Sequence, residues 1–174
     1  MYQKFAKYGL IFALIALFSV NDVYADARPV IVIHGGAGSM TKSSLGDEKE
    51  TAIRAKLRES AQAGYQALLD GAPATAAVTT AINILEDSPL FNAGKGAVFS
   101  AAGKNELDAA IMEGAELNAG AVAAVTRIKN PIDLALKVMT NSRHVMLIGE
   151  GAEAFASQQG FKLVDPAYFY TEQR

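Results

Sequence analysis

The chain has no cysteine and no tryptophan, only two histidines and only five prolines among 174 residues. Without cysteine there are no disulfides, no thiolate metal sites and no cysteine nucleophile. Neither His34 nor His144 has a carboxylate neighbour at metal-binding helical spacing, so H-E-x-x-H chemistry is absent. No G-x-S-x-G nucleophile elbow, no phosphate loop ending in glycine-lysine-serine/threonine and no G-x-G-x-x-G dinucleotide loop occurs. A formal net charge of −2 gives no electrostatic reason to expect nucleic acid.

Long apolar runs are also scarce, with one exception at the start. Lys4 and Lys7 precede an unbroken apolar stretch from Gly9 to Phe18, and Val23-Tyr24-Ala25 has small residues at the positions a signal peptidase reads. The run is short for a membrane span. Residues 1–25 therefore read as a secretory signal, and 26–174 as one exported, periplasmic domain with no membrane attachment after cleavage. Losing Lys4, Lys7 and Asp22 leaves 14 basic and 17 acidic side chains.

The remaining chain alternates strand-like and helix-like stretches. Pro29 to His34 is short, apolar and β-branched, which predicts a buried strand. Gly35-Gly36-Ala37-Gly38 follows, either as a plain tight turn or as a functional loop. Helical spacing of Ile53, Leu57, Ala61, Tyr65 and Leu68 predicts a helix over 47–69, with Tyr65 in the core and Gly71 as the stop. Pro73 suits the first turn of a second helix bearing Ala77, Ala81 and Leu85, antiparallel to the first.

The stretch Asp87-Ser88-Pro89-Leu90-Phe91-Asn92-Ala93-Gly94-Lys95-Gly96 organises the rest. One proline and two glycines rule out regular structure throughout, yet Leu90 and Phe91 demand burial. Such a loop satisfies its carbonyls with turns and water, or with a hard cation that takes oxygen ligands. Beyond it, Ala97–Ser100 and Glu106–Met112 read as a hairpin around a turn at 101–105. Glu106 and Asp108 would share a face, as solvated carboxylates or as an acid/base pair. Next come a small-residue strand over 120–126 and a helix capped by Asn130 with Pro131 in its first turn. A strand over 144–149 and a helix over 150–159 follow, and 161–174 reads as loop. Two sheet layers covered by helices fit this order.

Several of these stretches together resemble the plant-type L-asparaginases, or isoaspartyl peptidases, which are N-terminal nucleophile hydrolases. The anchors are Val32-Ile33-His34-Gly35-Gly36-Ala37-Gly38, Pro89-Leu90-Phe91-Asn92-Ala93-Gly94-x-Gly96, Glu106-Leu107-Asp108-Ala109, Ala119-Gly120-Ala121-Val122-Ala123, Lys129-Asn130-Pro131 and His144-Val145-Met146-Leu147-Ile148-Gly149-Glu150-Gly151-Ala152. The resemblance implies an α/β fold, the N-terminal portion of a four-layer α-β-β-α sandwich. It implies a glycine loop near the processing site, with His34, Gly35, Gly36 and Gly38. It further implies a structural sodium ringed by the main-chain carbonyls of Leu85, Glu86, Ser88, Phe91, Ala93 and Lys95. Asn92 would reach toward the nucleophile as a supporting hydrogen-bonding group.

In that family a precursor cuts itself before a threonine, whose hydroxyl becomes the nucleophile and whose free amine serves as base. That threonine opens a Gly-Thr-Val-Gly-Ala motif, and no threonine here follows a glycine. The resemblance places the nucleophile, the substrate clamp and the oxyanion threonine in a C-terminal β-subunit part, so no residue of this chain is assigned a catalytic role. The expected protein is the α-subunit part of an exported amidohydrolase for asparagine or β-aspartyl peptides, inactive alone and a dimer of heterodimers when complete. The alternative is a non-catalytic relic or exported binding module.

Overall fold

The computed structural model describes residues 28–36 and 45–172. The proposed signal at 1–25 and Gly38 of the glycine loop lie outside these residues. Helix α1 runs Asp47–Leu69, with Asp47, Glu48 and Glu50 in its first turn, where a helix dipole favours negative charge. It stops in a Schellman turn: Ala72 N–H donates to Ala67 O, Gly71 N–H donates to Leu68 O, and Gly71 sits at φ +83°. Helix α2 spans Ala74–Glu86, one residue beyond Pro73, which lies at its N-cap rather than in its first turn.

The two helices pack antiparallel through small residues. Ser60 Oγ donates to Ala81 O at 2.6 Å in a fully buried contact. A Cβ on Gly64 would lie 2.9 Å from Ala77 O and 2.5 Å from the Ile31 side chain. Close backbone approach is thus set by alanine and glycine, and residues 28–36 lie across this pair. Tyr65 is 37% exposed, contrary to its predicted core position, because it falls off the stripe marked by Ile53, Ser60 and Gly64.

Strands β1 (Leu107–Met112) and β2 (Ala119–Val125) are antiparallel, and β3 (Met146–Ile148) adds in parallel to β2. Helix α3 (Pro131–Asn141) makes the crossover between β2 and β3, and α4 (Gly149–Gln158) follows. Pro131 occupies the first turn of α3 as predicted. One face of the sheet meets α3 so closely that a Cβ on Gly120 would lie 2.2 Å from Ala135 O. Val122, Val125, Ile128, Ile132, Leu134 and Val138 form the core, closed by Phe169 from a 3₁₀ turn at Pro166–Phe169 within the predicted loop.

The architecture is mixed α/β, but among the described residues it holds one three-stranded sheet, not two. Two predicted strands differ. Residues 29–34 are extended and join no ladder among the described residues, with Val30 and Val32 80% and 88% exposed while Ile31 and Ile33 turn inward. No described strand lies alongside to take their backbone hydrogen bonds. The predicted hairpin over 97–112 reduces to a single bridge between Phe99 and Asn105. Side-chain amides explain this: Asn92 Oδ1 accepts the Val98 N–H, and Asn105 Nδ2 donates to Ala97 O and Val98 O. With those backbone groups taken, Leu107–Met112 pairs with β2 instead.

Candidate functional site

Helix α2 ends at Glu86, and the chain must then reverse toward the sheet. Ser88 N–H donates to Leu85 O at 3.2 Å, and Ser88 Oγ accepts from Leu90 N–H. A 3₁₀ turn at Gly94–Gly96 closes the loop, with Gly96 N–H on Ala93 O and Ala97 N–H on Gly94 O. A Cβ on Gly94, at φ +48°, would stand 2.3 Å from Glu86 O, and one on Gly96 would stand 2.1 Å from Phe91 O. Only glycine allows these carbonyls to come so close.

Two motifs far apart in sequence meet at this loop. A Cβ on Gly35 would strike Leu57 at 2.2 Å and Phe91 at 3.1 Å. Between His34–Gly36 and Leu90–Ala93 lies a cavity of about 500 Å³, floored by Ile53, Leu85 and Phe91 and edged by Asn92 and Val98. His34 is exposed and its Nε2 donates to Gly36 O, so it shapes its own turn. Asn92 uses Oδ1 on Val98 N–H at 2.9 Å, which leaves its amide nitrogen as a donor at the cavity edge. Apolar walls with one oriented amide suit a small substrate or a partner segment.

Of the residues named for a cation, Leu85 and Glu86 end α2, and Ser88, Phe91, Ala93 and Lys95 follow on the folded loop. Their neutral carbonyls are oxygen donors of the type a hard monovalent cation takes, and Gly94 and Gly96 leave room beside those of Glu86 and Phe91. Ala93 O accepts the Gly96 N–H and keeps a second lone pair, and Leu85 O accepts the Ser88 N–H at the end of α2. Lys95 Nζ sits 5.8 Å from the Tyr168 ring centroid, a cation–π contact. No group of three or more His, Cys, Asp or Glu suited to a metal occurs among the described residues.

The side chain of Glu86 was not anticipated. It is 3% exposed, and its Oε1 accepts the Ile132 N–H at the start of α3, where Asn130 makes no capping bond. Asn130 instead donates to Asp87, which also pairs with Lys129 at 3.0 Å. Glu86 Oε2 is buried without a hydrogen-bond partner among the described residues. Burial pushes the Glu86 carboxyl up to about 8; the Ile132 N–H and Asn130 oppose this, while Asp133 and Asp87 add to it. One signal was present in the sequence: Val78, Ile82 and Glu86 form an i, i+4, i+8 row whose first two members are apolar.

Glu106 and Asp108 do not line the cavity. Asp108 is exposed, and its Oδ1 accepts Ala124 N–H at 2.9 Å across the bulge between β1 and β2. His144 is exposed at the entry to β3.

A family model described as asparaginase matches residues 27–174. The chain is 44% identical over 147 residues to the isoaspartyl peptidase of Salmonella typhimurium, covering 84% of this chain and 47% of that protein. It is 48% identical over 144 residues to the plant-type L-asparaginase of Pyrococcus furiosus, covering 83% and 44%. For the isoaspartyl peptidase/L-asparaginase of Xenopus laevis the identity is 42% over 146 residues, covering 84% and 46%. The chain thus spans less than half the length of these curated relatives. A match that runs from the glycine segment through the central loop to the end of the sheet domain makes this chain a member of the asparaginase family, alongside isoaspartyl peptidases and plant-type L-asparaginases.

Proposed function

We propose that this chain is the N-terminal, α-subunit part of an exported amidohydrolase that acts on asparagine or β-aspartyl dipeptides. The observation that carries the reading is the cavity where the glycine segment and the Asn92 loop meet. These two motifs are the ones whose resemblance places them beside the nucleophile. A C-terminal part brings the threonine. Its hydroxyl oxygen attacks the side-chain carbonyl carbon, and its α-amine takes the hydroxyl proton and passes it to the leaving nitrogen. The acyl-enzyme then reacts with water to release aspartate and restore the threonine. Within this chain, Asn92 supplies a fixed amide donor at the cavity edge, and Phe91 and Gly35 hold the two loops in register.

The same part would lay a second sheet on the uncovered face of β1–β3, completing a four-layer α-β-β-α sandwich. Strands from it would also flank residues 29–34, whose backbone has no ladder among the described residues. Sodium in the carbonyl loop would neutralise the oxygen dipoles and stiffen the turn that carries Asn92. Two such heterodimers would form the complete enzyme. Residues 1–25 would direct export to the periplasm, and no described helix is long and apolar enough to cross a membrane.

The test is hydrolysis of asparagine and a β-aspartyl dipeptide, followed as ammonia and aspartate release. The chain alone is expected to release neither, and addition of a C-terminal part carrying Gly-Thr-Val-Gly-Ala is expected to restore turnover. Hydrolysis by the chain alone overturns the two-part reading. No turnover in either preparation would favour the relic or binding-module alternative.

A further inference from the structure

The face of the sheet turned away from α3 is almost wholly apolar. Ala110 and Met112 of β1, Ala119 and Ala121 of β2, and Met146 and Ile148 of β3 alternate with the inward-facing core residues. Met112, Met146 and Ile148 are 60%, 51% and 63% exposed. One strand position on this face breaks the pattern. Asp108 sits at its end, exposed, held by Ala124 N–H at a bulge where Ala124 adopts φ +53°. Its second carboxylate oxygen takes no hydrogen bond from a described residue, and exposed Glu106 precedes it by two positions.

We infer that this face receives the complementary part of the enzyme, and that this part brings a basic side chain onto Asp108, which sets the register of the two sheets. The inference rests on the two-part reading above. Laying an apolar layer over the face takes the Asp108 carboxylate out of water, which is costly unless a donor meets it. A second copy of this chain is the poorer source: no strand position on the face is basic, and two copies would bring like charges together. The relatives hold more than half of their length beyond the part matched here, which is enough chain for such a layer. The bulge gives Asp108 a fixed direction, so a correctly placed cation is rewarded and a slipped register is penalised.

The experiment co-produces this chain with the part of the Salmonella typhimurium relative outside the matched stretch, purifies the complex, and measures association by isothermal dilution of that complex. Asp108→Asn keeps the oxygen that accepts from Ala124 and removes only the charge. It is expected to weaken association at least tenfold and to flatten its dependence on sodium chloride concentration. Asp108→Leu is expected to weaken it further. Circular dichroism of each variant alone checks that the fold is retained. Unchanged or tighter association of Asp108→Asn in a folded variant overturns the inference, since it would show the charge to be buried without a partner. Failure of the unmutated parts to associate overturns the two-part reading and this inference with it. Self-association of the chain, tightened by Asp108→Asn, assigns the face to a second copy and overturns this inference alone.

Discussion

Replacing Glu86 by glutamine should change the pH dependence of stability in a defined direction. The Glu86 carboxyl is raised from 4.5 to about 8, chiefly because it is buried. In the unfolded chain it ionises near its ordinary value. Between pH 4.5 and 8 the folded state therefore holds a proton that the unfolded state has released, so stability falls as pH rises. Above about pH 8 both states are ionised and this contribution is level. At about 1.4 kcal/mol per pH unit the full shift corresponds to roughly 5 kcal/mol, with about 2–5 kcal/mol expected after local relaxation. Glutamine keeps an acceptor for Ile132 N–H and cannot ionise. Urea unfolding of both proteins, followed by far-UV circular dichroism in choline-based buffer from pH 5 to 9, should give similar stabilities at pH 5. At pH 8.5 the Glu86→Gln chain should be the more stable by that margin. A wild-type chain whose stability does not fall relative to the variant across this range would refute the reasoning, as would a variant that is weaker at pH 8.5.

Further outcomes concern Asn92 and the carbonyl loop. Asn92→Ala strips the acceptor from Val98 N–H and should cost about 1–2 kcal/mol of stability, whereas Asn92→Asp keeps that acceptor and should cost less. Both should lose turnover in the assembled enzyme if the amide donor serves the nucleophile; equal turnover of Asn92→Asp and wild type would remove that role. Replacing choline by sodium at constant ionic strength should stabilise the chain by about 1.4 kcal/mol at ten times the dissociation constant, read as a higher urea midpoint. Lys95→Met should enlarge that response by removing a nearby positive charge. Identical midpoints in the two salts would argue against a sodium loop.

The local elements were legible because their causes are local. The predicted 47–69 helix matches Asp47–Leu69, since its apolar spacing, acidic first turn and Gly71 stop all act within a few residues. Pro131 opens α3 for the same kind of reason. The glycines at 94 and 96 were readable as necessities of a tight loop, though not what they make room for. The hairpin over 97–112 failed because Asn92 and Asn105 compete for the same backbone groups from several residues away. Period-two alternation marks a strand but does not name its partner.

By itself, then, the sequence determined where helices begin and end, which loop cannot be regular, and that thiol chemistry is excluded, because each follows from neighbouring side chains and composition. The tertiary structure decided that residues 29–34 lie against α1 and α2, that Gly35 meets Phe91 to form a cavity, and that Glu86 is buried at the N-terminus of α3. Glu86 and Ile132 are 46 residues apart, and only packing of the intervening chain brings the carboxylate to that amide. Burial and proximity across such distances are properties of the packed chain, and they are what shift a carboxyl, close a cavity and leave one face of a sheet uncovered.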